Sequence, residues 1–118
     1  MNSRYDLLER TAVFGESIIT FCLSLPKTVI TVPLINQLVK SGTSIGANYT
    51  EADNAESKKD FKHKIGICRK ESKEAGFFLR MIKTAIPEKS TEVEILLQEA
   101  HELNLIFNTI NHNTHLDY

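Results

Sequence analysis

The chain has 118 residues and a mass of 13.4 kDa, which fits one domain, because two separate cores of half that size would each be marginal. Hydrophobic residues make up 42% and charged residues 25%, which argues against a disordered, collagen-like or disulfide-stapled chain. The net charge of −1 argues against a uniformly basic nucleic-acid coat. With 5 Gly and 3 Pro as chain breakers, the composition favours a few long helices over an all-β fold.

The setting predicted for the chain is cytoplasmic and reducing. The first ten residues mix charges with isolated apolar residues, unlike a secretory signal. No stretch approaches the ~18 uncharged apolar residues of a membrane span. Cys22 and Cys68 form no CxxC pair, so they predict neither a zinc site nor a disulfide, and both are interpreted as small core residues.

The first predicted helix covers residues 5–25. Its apolar residues recur at spacings of three, four and seven, which is the pattern of an amphipathic helix: Leu7, Phe14, Ile18, Phe21 and Leu25. Pro26 ends this helix, because proline disfavours helix in the residue before it. The β-branched residues that follow predict a loop rather than a strand, since one strand alone has no partner.

The second predicted helix covers residues 33–53, with Thr31 as its cap. The middle of this helix is small and polar, a composition that disfavours helix: Ser41, Gly42, Ser44, Gly46 and Ala47. We interpret these residues as the mark of a closely approaching neighbouring helix. A phosphate-cradling loop is the rejected alternative, because the spacing of Gly42 and Gly46 matches neither a P-loop nor a dinucleotide-binding fingerprint.

The third predicted helix covers residues 58–86 and begins with Ser57 as the cap and Asp60 in the capping-box position. Its apolar stripe alternates spacings of four and three over three heptads. A second set of apolar residues lies off that stripe, and predicts either a wide core contact or an interface between subunits: Ile67, Phe77, Phe78 and Met81.

The fourth predicted helix covers residues 91–111, follows Pro87, and begins with a capping box of Thr91 and Glu94. Four amphipathic segments joined by short connections predict an all-α fold. The predicted architecture is a single domain over 1–118, an up-down-up-down antiparallel four-helix bundle.

Polar residues at core-like positions of the second and third helices are the first candidates for a site. We expect them to meet as a partly buried hydrogen-bonded cluster: Ser44, Asn48, Glu51, Ser72 and Glu74. Such carboxylates can perform acid–base chemistry or bind a metal. The favoured interpretation is a structural cluster that fixes helix register, because the Glu-x-x-His pair of di-iron bundles is missing. We therefore predict no catalytic residue, no cofactor and no metal.

The charge layout is the second candidate. Residues 58–83 carry nine basic side chains against three acidic ones, and residues 88–102 carry five acidic side chains against one lysine. The basic face of the third helix predicts contact with a phosphate backbone through six residues: Lys58, Lys59, Lys62, Arg69, Lys70 and Lys73. The alternative is a solvated face whose charges pair with the acidic fourth helix. The stripe contains no aromatic residues for stacking bases, which argues against single-strand binding.

The central part of the chain resembles a known bacterial family. The resemblance lies in Ser44-Ile45, Asn48 and Glu51 on the second helix, the run 57–61 (Ser-Lys-Lys-Asp-Phe), and Glu71-Ser72-x-Glu74 on the third. These residues are similar to those of the four-helix-bundle proteins encoded by intervening sequences of 23S rRNA genes. That family includes the accessory variability determinants of diversity-generating retroelements.

The resemblance implies a four-helix bundle that assembles into a homopentamer. For the accessory members it also implies binding to a reverse transcriptase and to RNA or DNA. Tyr49 and Asp53 depart from the family pattern, and the slightly acidic chain differs from the basic nucleic-acid-binding members. We expect a non-enzymatic, homo-oligomeric accessory or scaffold protein. The alternatives are a purely protein-binding bundle and a metal-dependent enzyme.

Overall fold

The structure, a computed structural model, describes the backbone of residues 3–116 and the side chains of residues 7–116. Four long helices fill this range, each beginning and ending within two residues of the predicted bound. They are α1 (Ser3–Leu23), α2 (Thr31–Asp53), α3 (Lys58–Ala85) and α4 (Ser90–Asn113), with a 3₁₀ turn, Pro87–Lys89, before α4. Between residues 3 and 116 there is no β-strand, so the all-α prediction is confirmed.

Successive helices run antiparallel. Lys62 at the start of α3 contacts Asn111 at the end of α4, whereas Lys83 at the end of α3 pairs with Glu94 at the start of α4. The same reversal holds between α1 and α2, where the Cβ position of Gly42 faces Ile18 and that of Gly46 faces Thr11. The predicted antiparallel bundle is therefore confirmed. Contact is sparsest where α4 closes the bundle against α1.

The core consists of the apolar stripes of all four helices. Its largest fully buried side chains include Phe14, Ile18 and Phe107. Cys22 and Cys68 are buried free thiols, as predicted. Burial raises the pKa of Cys22 to about 11 and that of Cys68 to about 12, so both thiols stay protonated at neutral pH.

The small residues of α2 are explained by the close approach of α1. A Cβ atom at Gly46 would lie 3.2 Å from the backbone oxygen of Thr11, and one at Gly42 would lie 2.9 Å from Cγ1 of Ile18. The predicted close approach is confirmed, and glycine is needed at these two positions to keep the helix axes together.

The helix caps agree with the sequence at α3 and differ at α2. The hydroxyl of Ser57 accepts a hydrogen bond from the Asp60 backbone N–H at 3.0 Å, as predicted. Thr31 is not the cap of α2. The Thr28 hydroxyl instead accepts from the backbone N–H groups of Ile30 (3.2 Å) and Thr31 (3.1 Å), because the turn that leads into the helix begins earlier than the apolar pattern.

The predicted capping box of α4 is also wrong. A 3₁₀ turn follows Pro87, and α4 begins at Ser90, whose hydroxyl donates to the Pro87 carbonyl. Glu94 is then too far into the helix to cap it and pairs with Lys83 instead.

Over the described residues, no helix is long and apolar enough to span a membrane.

Candidate nucleic-acid interface

A groove runs along the surface between α3 and α4, and most of the predicted basic residues line it. It consists of two open concavities, of about 570 Å³ and 420 Å³, which share Arg69 and Lys70. We call it the basic groove, and define it by the residues of both concavities: Lys59, Lys62, His63, Gly66, Ile67, Arg69, Lys70, Lys73, Glu74, Phe77, Asn104, Asn108, Asn111 and Leu116. Five of the six predicted anchors are among them.

The side of the basic groove that belongs to α4 is neutral. Asn104, Asn108 and Asn111 line it, so the cations of α3 face amides across the groove. The α4 carboxylate that does pair with α3 is Glu94, which contacts Lys83 near the far end of α3, outside the basic groove. The acidic helix therefore leaves the positive potential of the groove largely in place.

Two further carboxylates of α4 point to α1. Arg10 donates to Glu99 through two hydrogen bonds of 2.7 Å and to Glu102 at 2.9 Å. The bonds with Glu99 raise the pKa of the Arg10 guanidinium, although burial opposes the rise. Hydrogen bonds from Gln98, and then from Arg10, lower the pKa of Glu102. These two carboxylates hold α4 against α1 through Arg10, so they do not neutralise the cations of the basic groove.

The remaining anchor, Lys58, lies outside the basic groove. Lys58 is exposed at the first position of α3 and lines a separate concavity with Phe61 and His115. Lys70 is exposed and forms an ion pair of 3.7 Å with Glu71, which offsets part of its charge.

Lys62 has a structural task within the groove. Its ammonium donates to the carbonyls of Asn111 (2.7 Å), in the last turn of α4, and of Thr114 (2.8 Å), the residue that follows the helix. A cation at this end of a helix satisfies orphan carbonyls and complements the helix dipole. Sequence reasoning assigned Lys62 to phosphate contact alone, because spacing within α3 gives no sign of where α4 ends.

In the part of the chain that the structure describes, no hydrogen bond joins the α2 members of the expected polar cluster to its α3 members. Ser44 donates to the Lys40 carbonyl at 2.6 Å, and Asn48 donates to the Ser44 carbonyl at 2.8 Å, so both bond to their own helix. Glu51 pairs with Lys64 at 2.9 Å, and this hydrogen bond raises the pKa of Lys64. The α2 members of the predicted cluster therefore bond to partners other than Ser72 and Glu74.

The α3 members of that predicted cluster face α4. Ser72 is buried and accepts a hydrogen bond of 3.1 Å from the Asn104 amide, which also donates to the Arg69 carbonyl at 2.9 Å. Glu74 lines the basic groove. The heptad pattern identified Ser72 as inward-facing but could not show that its partner is on α4 rather than α2.

The four off-stripe apolar residues of α3 do not form one exposed patch. Phe78 packs against the core, and Ile67 and Met81 are half-buried. Phe77 is 54% exposed and lines the basic groove, as does Ile67. Their role as an oligomer interface stays a prediction.

The described part of the chain holds no group of three or more His, Cys, Asp or Glu residues that is arranged to hold a metal ion. His112 and His115 lie at the end of α4 and just beyond it, and both are exposed.

Comparison with known proteins places this fold in a family. The family model described as "23S rRNA-intervening sequence protein" matches residues 4–111. The chain is also similar to a protein of unknown function from Bacteroides thetaiotaomicron, described as a member of the S23 ribosomal protein family. The two are 26% identical and superpose with a TM-score of 0.79 over 89% of this chain and 97% of the other. No curated protein matches the chain. The match to the family model extends over nearly all of the four helices, and the chain belongs to the 23S rRNA-intervening sequence protein family.

Proposed function

We propose that this protein is a non-enzymatic accessory factor that binds nucleic acid through the basic groove. The observation that carries the proposal is the pairing of charges around α4. Its carboxylates contact Arg10 and Lys83, whereas the groove cations face the neutral amides of α4. A linear array of cations that outnumbers the carboxylates beside it, here Glu71 and Glu74, is the electrostatic footprint of phosphate-backbone binding.

The size of the groove also supports this proposal. Lys59 and Lys73 are fourteen residues apart on α3, which is about 21 Å along a helix that rises ~1.5 Å per residue. That length accommodates several nucleotides of an extended strand. Apart from Lys62, which bonds to the end of α4, the groove is lined by four lysine and arginine side chains: Lys59, Arg69, Lys70 and Lys73.

Titration of fluorescently labelled RNA and DNA oligonucleotides with the full chain tests the proposal. At roughly 50 mM salt we expect dissociation constants of about 1–10 µM, because sequence-independent phosphate binding typically lies near this range. The measurement is fluorescence anisotropy. Absence of binding to both nucleic acids at this salt concentration would contradict the proposal.

We also propose that the protein is a homo-oligomer, for which a second groove is the favoured interface. This groove lies between α1 and α4, where the bundle packs most sparsely, and Val13 and Ile95 line it. Val13 is 45% exposed and Ile95 is 67% exposed, so apolar surface remains open on this side of the bundle. Self-association would bury it, and it lies away from the basic groove.

The mass in solution tests the homo-oligomer. We expect light scattering to give a multiple of 13.4 kDa, five-fold for a pentamer, and Ile95→Lys to lower that mass. Lys40→Glu, on the exposed side of α2, is the control and is expected to leave the mass unchanged. A monomeric mass for the unmodified chain would contradict self-association, and an unchanged mass for Ile95→Lys would contradict this interface.

A further inference from the structure

We infer that the basic groove, if it binds nucleic acid as proposed above, is built for an unpaired strand, with Phe77 as the platform on which a base stacks. The sequence argued against single-strand binding because the basic stripe contains no aromatic residue. In the structure, Phe77 lines the same concavity as Arg69 and Lys73. An aromatic ring and phosphate-binding cations are therefore adjacent on one surface.

The ring of Phe77 is both open and supported. Phe77 is 54% exposed, although a phenylalanine of a bundle helix is ordinarily buried. Its ring meets that of Phe78 in an edge-to-face contact, with centroids 5.2 Å apart and planes at 85°. Phe78 packs against the core and so restricts the motion of its neighbour. A ring held in place loses little freedom when a base stacks on it.

The cations lie within about two helical turns of the ring. Lys73 is one helical turn before Phe77, and Lys70 and Arg69 are about two turns before it, on the same side of α3. A phosphate bound by these cations places the attached nucleoside near the ring. Stacking of bases on aromatic side chains next to a cationic backbone track is the general mode of single-strand binding.

Hydrogen-bonding groups lie beside the ring. Asn104 is held by its bonds to Ser72 and Arg69, and its side-chain oxygen accepts from Asn108 at 3.2 Å. Asn108 is exposed, and Glu74 lines the same concavity. An amide and a carboxylate can bond to the edge of an unpaired base. In a duplex the bases are stacked on each other and their pairing edges are occupied, so these groups favour an unpaired strand.

Phe77→Leu tests the inference, with Phe77→Tyr as the control that keeps the ring. Leucine preserves an apolar side chain at a half-exposed site, so the helical content by circular dichroism is expected to stay unchanged. Affinities are measured by anisotropy for a single-stranded oligonucleotide of about ten residues and for the duplex of the same sequence, each as RNA and as DNA, at one salt concentration. We expect the unmodified protein to prefer the single strand. We expect Phe77→Leu to weaken single-strand binding about tenfold, equivalent to about 1.4 kcal/mol, and to leave duplex affinity unchanged. We expect Phe77→Tyr to keep both affinities.

The outcomes separate this inference from the proposed function. Equal losses for single strand and duplex, no loss for Phe77→Leu, or a preference of the unmodified protein for duplex would overturn the inference and leave phosphate binding by the groove in place. Failure of the unmodified protein to bind any of the four ligands would overturn both. The RNA and DNA arms report whether the sugar contributes to recognition, since the 2′-hydroxyl distinguishes them.

Discussion

Replacing Gly46 with alanine is expected to lower the free energy of unfolding by about 1–3 kcal/mol, the usual cost of overpacking a well-packed contact. The new Cβ would lie 3.2 Å from the oxygen and 3.3 Å from the carbon of the Thr11 carbonyl. Because both atoms belong to the α1 backbone, no side-chain rotation relieves the contact and the two helices must separate. Urea denaturation followed by circular dichroism at one protein concentration measures the change.

Gly66→Ala is the matched control for this prediction. Apart from its chain neighbours and the backbone of its own helix, no described atom lies within 4 Å of a Cβ built at Gly66, which is also in the interior of a helix. Alanine there is expected to raise the free energy of unfolding by up to about 1 kcal/mol, since glycine disfavours helix by that amount. If Gly46→Ala were as stabilising as Gly66→Ala, the close packing of α1 on α2 would be contradicted.

Reversing two charges in the basic groove is expected to weaken nucleic-acid binding by about 10- to 100-fold at roughly 50 mM salt. The variant is Lys59→Glu combined with Lys70→Glu, which changes one cation near the start of the groove and one shared by its two concavities. Both side chains are exposed, so the fold is expected to remain intact. Anisotropy titration measures the affinity, and circular dichroism verifies the helical content.

The control for charge reversal is Lys40→Glu combined with Lys83→Glu, which has the same net charge. Lys40 is exposed on α2, and Lys83 pairs with Glu94 outside the basic groove. We expect this variant to keep most of its affinity, because the potential within the groove is unchanged at short range. Equal losses in both variants would show a response to total charge and would argue against the groove. Lys62 is not used in this test, because its reversal would also disturb the end of α4.

The fold could be predicted almost completely from the sequence, because its signals are local. Ser57 has the cap geometry and the Asp60 bond that its position predicted. Gly42 and Gly46 on one face of α2 indicated the close approach of another helix, and α1 provides it. Each of these predictions depends on residues within one helix or at its end, where spacing determines the geometry.

The candidate site was less predictable, because its determinants lie on different helices. Periodicity assigned Ser72 to an inward face but could not tell that Asn104 on α4 is its partner. The charge pattern placed the acidic residues of α4 next to the basic helix, whereas Glu99 pairs with Arg10 on α1. Periodicity assigned Phe77 to a wide core contact or a subunit interface and gave no sign that the ring lines the basic groove. A heptad pattern separates the buried face from the rest of a helix but does not say which neighbour the flanking positions meet.

The dependence of binding on salt tests the central claim, which is that the cations of the basic groove bind phosphates. The binding constant of the unmodified protein for a ten-nucleotide single strand is measured between about 50 and 200 mM salt. Four cations, each releasing ~0.7 counterions, predict that log K falls with log salt at a slope of about −3, and that Lys59→Glu with Lys70→Glu makes this slope shallower by about 1.4. A slope near zero for the unmodified protein, or the same slope in both proteins, would contradict the account.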